Sequence, residues 1–319
     1  MEKELAKTKR VNKSVFTAGL SRLWKYKALL IMMLPLVIVQ ILNGYLPLFG
    51  LTIAFKNVDY SKGLFGSDWV GFQNFKFLFA SSDIWHILGN TIVYNLIFIF
   101  LGMAMSVALA IMLNEIRSRF MAKMYQTFLI LPYFLSMVVV SYIVYAFLSP
   151  QHGFVTKLME MAGLPEKDWY SSPNDWRILL VVIKMWSSVG YNSIIYLAAL
   201  AGMDTTVFEA GMMDGATKGQ QIRYITLPMM SSVIIITLIL SLGNIIKGDF
   251  GLFYQVPMNS PQLYPATDVI DTYVYRSLTQ LGDIGMSSAV GFLQSVVGCL
   301  LVVLSNWVVK LVDSENAIF

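Results

Sequence analysis

Asp204 to Pro228 reads DTTVFEAGMMDGATKGQQIRYITLP, a polar interruption between two apolar runs. Each half opens with a helix-start pattern: Thr206 with Glu209 three residues on, then Thr217 with Gln220 three residues on. In either pair the hydroxyl and the longer side chain can satisfy orphan backbone N–H groups reciprocally. Between the halves, Asp214-Gly215 is a turn signal. The stretch predicts a helix, a tight bend and a second helix that continues through Leu227-Pro228 into an apolar span. Nothing in it is arranged to break bonds.

The composition around it sets the phase in which the chain folds. Of 319 residues, 56% are hydrophobic and 13% charged, and the mean hydropathy is +0.64. Soluble domains carry roughly 25% charged residues, so this is an integral membrane protein. The net charge of +4 says less than where the Lys and Arg residues lie. The lone cysteine, Cys299, excludes an internal disulfide or a cysteine-based zinc site and leaves the redox compartment unread. The first apolar run begins near Ala28 and is too long for a cleavable signal peptide, so a retained span is expected.

A span needs about twenty apolar residues. Five uncharged stretches meet that length: Ala28 to Phe55, Ile87 to Asn114, Met124 to Gln151, Tyr224 to Ile246 and Ile284 to Val309. A sixth, Met185 to Met203, reaches it by including part of Ile178 to Lys184. The predicted fold class is therefore all-α, a polytopic membrane protein of six transmembrane helices. The first 27 residues hold eight Lys or Arg against two Glu, which by the positive-inside rule makes this tail cytoplasmic. Six spans then put the C-terminus inside as well. The inner loops and tails carry 14 Lys/Arg, whereas the outer loops hold 11 Asp/Glu against eight Lys/Arg. This asymmetry places Asp204 to Pro228 in the cytoplasm. The domain plan that follows is a tail at 1–27, a first span with its outer loop at 28–87, a five-helix core at 88–312 containing the 204–228 loop, and a tail at 313–319.

The three outer segments differ in character. Residues 56–86 combine Gly63, Gly66 and Gly71 with Phe65, Trp69, Phe72, Phe75, Phe77 and Phe79, a loop expected to lie on the bilayer surface. Residues 149–177 carry a short amphipathic piece, Val155 to Met161. Residues 247–283 place Pro257, Pro261 and Pro265 ahead of helical spacing from Val269 to Leu281. The last two are the expected docking surface for an external partner.

Lipid tolerates some residues in the spans only at a cost. Lys184 lies inside the fourth, where a lysine at mid-bilayer costs about 2.5–3.5 kcal/mol, and it must either face a cavity or snorkel outward. Trp186, Tyr191, Asn192, Asn244 and Gln294 complete the candidate polar path, each equally suited to interhelical hydrogen bonding. Small residues recur every fourth position as Gly102, Ser106 and Ala110, and as Ser287, Gly291, Ser295 and Cys299, two rows that let helices approach closely. No catalytic set accompanies them. His86 and His152 lie in or beside different outer loops, with no metal or nucleophile motif nearby. Gly215-Ala216-Thr217-Lys218-Gly219 lacks the spacing of a phosphate-binding loop. No enzyme activity, metal or resident cofactor is expected in this chain; ATP and Mg, if used, belong to another.

Glu209-Ala210-Gly211, Asp214-Gly215-Ala216, and Ile225 with Leu227-Pro228 resemble the EAA loop of ABC importer permeases. Two positions depart from it: Gly211 where a third Ala is usual, and Thr205 where a Pro often precedes. Gly costs roughly 1 kcal/mol against Ala in a helix, so the helicity around Gly211 is in question. Further pieces are similar to the branch that takes up oligosaccharides from complex polysaccharides: Leu34-Pro35, Asn43 to Pro47, Ala54-Phe55-Lys56, Trp69-Val70-Gly71, Asn90-Thr91, Leu113-Asn114-Glu115, Leu131 to Ser136, Asp268 to Arg276, and Ala289-Val290-Gly291. The resemblance implies a bacterial plasma-membrane protein that pairs with a second permease subunit. It also implies two cytoplasmic ATPase subunits, an external solute-binding lipoprotein and an oligosaccharide substrate; no nucleic acid is expected. It makes residues 208–216 with Leu227 and Pro228 the ATPase-coupling element. Phe208, Met212 and Met213 would form its partner-facing side, Glu209 a cap and Asp214 a turn. A non-sugar solute, an ion- or proton-driven transporter using Lys184 and Asp249, and a scaffold subunit are the competing classes.

Overall fold

The chain's computed structural model describes residues 26–80, 82–165 and 167–312. Apart from Tyr26 and Lys27, the two tails expected at 1–27 and 313–319 lie outside the described residues. Helix α1 (Lys27–Gln40) continues through a wider turn and a tighter one to Phe55, and in this 29-residue rod only Ile53 and Ala54 are buried. Apolar residues surround it on every side, as suits a helix solvated by lipid.

The rod ends in a two-stranded ribbon, β1 (Lys56–Asn57) with β2 (Asp68–Trp69), antiparallel with Lys56 opposite Trp69. Helix α2 (Gln73–Ala80) follows. Here the expectation of a loop merely resting on the bilayer is refined. Phe55 stacks on Trp69 at 5.5 Å and meets Phe72, Phe75 and Phe292 edge-on or tilted, fastening the segment to the last helix. Asn74 reinforces this by donating to the carbonyls of Ala54 and Lys56 at 2.9 and 3.0 Å.

The core begins with α3 (Ser82–Asn114), followed by α4 (Arg119–Ile130) and α5 (Met137–Leu148). The third span is not one rod: the two halves meet at 97°. Pro132 has no N–H to continue the helix, and Ser136 starts a new one by accepting from the Val139 N–H at 3.3 Å. The amphipathic piece appears as α6 (Phe154–Met161), and the fourth span as α7 (Pro173–Ala201), one continuous helix of 29 residues. After α8 (Thr205–Met213) comes α9 (Lys218–Gln221), which runs on to Met229 and turns by 59° into α10 (Ser231–Leu242). The outer helix α11 (Ile270–Gln280) and the last span α12 (Ile284–Val312) complete the order. Among the described residues, four helices are thus long and apolar enough to cross a membrane by themselves, and six spans result when each bent pair counts as one.

Lipid offers helices little hydrophobic reason to associate, so close packing and hydrogen bonds hold them. Buried Trp176 centres the largest cluster, with Tyr94, Leu180, Leu252 and Phe253. The Gly102, Ser106 and Ala110 row faces α7: Ser106 and Ala110 are fully buried and Gly102 lies against Met185. The second small-residue row behaves differently. Gly291 has nothing within 4 Å of an added Cβ and Cys299 is exposed. It is Gly298, one position off the row, that approaches the backbone of Gly243, where a Cβ would meet the carbonyl oxygen at 2.5 Å. The closest crossing is at Gly190, whose added Cβ would sit 1.8 Å from the Leu129 carbonyl oxygen.

Overpacking a fitted site costs about 1–3 kcal/mol, so Gly190→Ala should lower the thermal unfolding temperature in detergent while Gly291→Ala, with open space and a helix-propensity gain of up to about 1 kcal/mol, leaves it equal or raises it. Equal unfolding temperatures for the two variants would refute this account of the crossing.

Candidate functional site

Two constellations stand out, one at each end of the polar path. The first is the Asp204–Pro228 loop. A cap residue must adopt an extended backbone while its side chain reaches forward, and Asp204 does so: it is extended (φ −70°, ψ 118°) and accepts from the Thr206 N–H at 2.9 Å. That bond and the Thr206 hydroxyl hold the Asp204 carboxyl below the usual carboxylate range. The expected Thr206–Glu209 capping pair is therefore corrected, because Thr206 already lies inside the helix. Glu209 is exposed and bonds to no described side chain. The second cap is as expected: Gln220 N–H donates to Thr217 Oγ1 at 3.4 Å, and Thr217 N–H to Gln220 Oε1 at 2.7 Å.

Between them the chain closes through a left-handed residue. Gly215 sits at φ +79°, with the Ala216 N–H on the Gly211 carbonyl at 2.9 Å and the Gly215 N–H on the Met212 carbonyl at 3.0 Å. This is the paired-bond glycine ending of a helix. Asp214 takes part as the residue before it, in a turn conformation. Helix α8 runs uninterrupted through Gly211, which answers the question raised by its weak propensity. A Cβ there would come 2.9 Å from Ile225 Cδ1, so glycine lets α8 lie close on the segment after α9. Buried Gln221 adds a bond to the Ala216 carbonyl at 3.1 Å. Lys218 pairs with Glu115 beyond the end of α3 at 3.1 Å, an exposed link.

The expected apolar face divides. Phe208 and Met212 line a cleft of about 560 Å³ with Ile111, Arg117, Leu200 and Ile222, whereas Met213 points away and is 89% exposed. The split follows from a helix turning about 100° per residue. Ala210 and Ala216 flank the bend, exposed and half-buried. Pro228 follows a wider turn at Ile222–Thr226. Leu227 is partly exposed, while Met230, at the bend, is fully buried.

The second constellation gathers where α10 ends. Residues 243–249 leave the helix, and their polar backbone is met by side chains from three other helices. Asn95 donates to the carbonyls of Ile245 and Lys247 at 2.8 and 2.9 Å. Gln294 donates to the Ile246 carbonyl and to Asp271 Oδ2, both at 3.1 Å. The Gly248 N–H donates to the Asp271 carboxylate, and burial pushes that carboxyl above its ordinary range, against the lowering by these two bonds. Lys184 neither snorkels nor faces a cavity alone: its Nζ lies 2.7 Å from Asp249 Oδ2 and 5.9 Å from the centre of the Phe98 ring.

The other path candidates scatter. Spacing puts Lys184, Ser188, Tyr191, Asn192 and Ile195 on one side of α7. Tyr191 stacks on Tyr133 at 3.9 Å, and Asn192 borders a cavity of about 320 Å³ with Phe98, Ser106 and Thr237. Trp186 projects from a different side, 47% exposed, and Asn244 returns its amide to the Leu240 carbonyl at 3.1 Å. Sequence reasoning missed Asn95 and Asp271. The first had a signal, being the only amide in the apolar run Ile92 to Leu101; the second lay inside the Asp268 to Arg276 segment without its role being legible. Among the described residues no group of three or more His, Cys, Asp and Glu could hold a metal.

Residues 99–315 match the family of binding-protein-dependent transport system inner membrane components. Protein LplB of Bacillus subtilis (strain 168) is 33% identical over 97% of this chain and 98% of that protein. The polygalacturonan/rhamnogalacturonan transport system permease protein YteP of the same organism is 33% identical over 93% of this chain and 92% of its own length. Among solved structures, a bacterial alginate ABC transporter in complex with an alginate pentasaccharide-bound periplasmic protein contains a chain that superposes with a TM-score of 0.82. It is 30% identical and covers 92% of this chain and 97% of its own.

Removing one member of the second constellation strands its partner. Lys184→Met or Gln294→Leu should each destabilise the protein by on the order of 1–3 kcal/mol, while Lys184→Met combined with Asp249→Leu recovers part of the loss. Additive losses in thermal unfolding would count against the pairing.

Proposed function

This chain belongs to the family of binding-protein-dependent transport system inner membrane components, and from that premise we propose how its loop and bundle import an oligosaccharide. The chain is a polytopic permease subunit of an ATP-driven, binding-protein-dependent importer. It forms half of a translocation pathway with a second permease in the bacterial plasma membrane, both of its termini cytoplasmic. Two ATPase subunits bind and hydrolyse ATP with Mg on the cytoplasmic side, and an external lipoprotein delivers the saccharide.

The observation that carries this reading is the closed geometry of the Asp204–Pro228 loop. A short helix capped at both ends, closed by Gly215 and lying directly on the start of the fifth span, moves as one piece with that span. Met213, Met212, Val207 and Glu209 are exposed on it, suited to a groove on another protein in the helix-in-groove manner. Closure of the ATPase dimer would rock the two bundles about a central site. Such a shift needs differential contacts in the two states, so the loop must stay engaged in both. The substrate class is supported by the saccharide transporters among the relatives. The Lys184–Asp249 pair neutralises itself, which supports a structural role over ion or proton transport.

Two variants test the coupling. Gly215→Val forces a β-branched residue into a left-handed conformation that costs a non-glycine residue about 1–2 kcal/mol, and Glu209→Lys reverses the exposed charge. Both should abolish oligosaccharide uptake by cells while the chain remains in the membrane; normal uptake would sink the assignment. Gly211→Ala gains helix propensity but presses on Ile225, a flexible neighbour. It should leave uptake within about twofold of wild type, since the gain of roughly 1 kcal/mol and the crowding oppose each other.

A further inference from the structure

On the side of α3 turned away from α7, a groove runs along the inner half of the bundle. Ala104 and Ala108 each lie two positions from the row of Gly102, Ser106 and Ala110 that packs on α7, which is about 200° round a helix, and both are exposed. Bulkier side chains flank them: Phe100 and Ile111 from α3, Leu227 and Ile234 from the fifth span. The groove encloses about 430 Å³, and every side chain lining it is apolar. From Phe100 to Ile111 the helix rises about 17 Å, close to the share of one leaflet, about 15 Å, in the hydrocarbon core.

Charge gathers at the inner end of the groove. Ile111 and Ile222 line both the groove and the cleft beside α8, so Glu115, Arg117 and Lys218 of the cleft adjoin that end. Glu115 and Lys218 pair with each other at 3.1 Å. Arg117 is exposed and, among the described residues, has no ion-pair partner. Arg223 is exposed and has none either; its guanidinium lies 5.6 Å from the centre of the Tyr224 ring, and it precedes Leu227 by about one turn. Glu209 and Asp214 line neither space. The two open cations decide the occupant. A helix of the partner permease would bring its own inner loop, which the positive-inside rule makes basic, against Arg117 and Arg223. A phospholipid with an anionic headgroup fills the groove with an acyl chain and sets opposite charge on both.

We propose that this groove binds an anionic phospholipid of the cytoplasmic leaflet, one acyl chain lying between α3 and the fifth span and the phosphate on Arg223 and Arg117. The proposal rests on the orientation given above, which puts the coupling loop in the cytoplasm. Ile222 and Leu227 flank Ile225, the residue that Gly211 of α8 approaches, so the lipid lies against the segment that the coupling loop moves.

The test uses the full-length chain with its partner permease in phosphatidylcholine nanodiscs. These are doped with phosphatidylglycerol or with phosphatidylcholine carrying the same diazirine-bearing acyl chain, and photo-crosslinks are located by peptide mass spectrometry. One basic residue near the membrane surface changes anionic-lipid binding about fivefold. The phosphatidylglycerol probe should therefore label residues 100–111 and 222–234 more than about fivefold over the phosphatidylcholine probe. Arg223→Gln should lower that preference about fivefold and Arg223→Lys should keep it, while Ala108→Trp, which fills the groove, should remove the labels of both probes. Ala108 and Arg223 are exposed, so these substitutions leave the core untouched. Equal labelling by the two probes, or a preference that Arg223→Gln leaves intact, overturns the proposal, and an unlabelled groove overturns it by placing a partner helix there. Orientation is read separately, from Met213→Cys in a Cys299→Ser background with an impermeant maleimide on spheroplasts. Labelling from outside overturns the orientation and the lipid site together; protection beside a failed lipid test strikes the lipid site alone.

Discussion

A backbone carbonyl or amide that leaves a helix within a bilayer has no water to turn to, and each one left unmet costs several kcal/mol. Residues 243–249 leave the helix where the fifth span gives way to the following loop, its regular winding ending at Leu242 before the chain turns toward Gly251. The arrangement of the other helices around it follows from this need. Asn95 from α3, Gln294 from α12 and Asp271 from α11 each supply a side chain to the exposed backbone, and Lys184 from α7 balances Asp249 at its end. Four helices are thereby tied to one unwound segment.

The loop at the other end solves the opposite problem. It is a protruding structure, so its backbone is satisfied internally, by Asp204, by the Thr217–Gln220 pair and by the glycine ending at Gly215. Within it, Gly211 lies against Ile225 and Gln221 bonds to Ala216; toward the bundle, Lys218 pairs with Glu115, and Phe208 shares a cleft with Ile111 and Leu200. The bend after Pro228 then seats Met230 among Val107, Ala110, Tyr196 and Leu200. Displacement of the loop therefore reaches α3 and α7 through a packed side chain and the fifth span through continuous backbone.

Much of this was legible without coordinates. Long apolar runs identify spans because lipid selects for them, and turn chemistry at Asp214-Gly215 and Thr217 is local, so those readings hold. The errors share a cause. Thr206 and Glu209 have the spacing of a capping pair, but Asp204 can cap alone by accepting from the Thr206 N–H, and the backbone started its helix two residues earlier. The apolar set Phe208, Met212 and Met213 was read as one face; Phe208 turns toward the cleft beside α3, Met212 borders it while half-exposed, and Met213 faces out. The bends in the third and fifth spans have prolines at Pro132 and Pro228 that announce a weakness without setting an angle.

The sequence by itself determined that the chain is a helical membrane protein with a helix–turn–helix loop between its fourth and fifth spans, because hydropathy, capping and glycine's left-handed turn act over a few residues. Only the tertiary structure decided which polar residues serve one another. Lys184 and Asp249 are 65 residues apart, and Asn95 lies 150 residues from the carbonyl it caps. Such pairings depend on how helices cross, set by contacts as close as Gly190 on Leu129, and no local pattern encodes that distance.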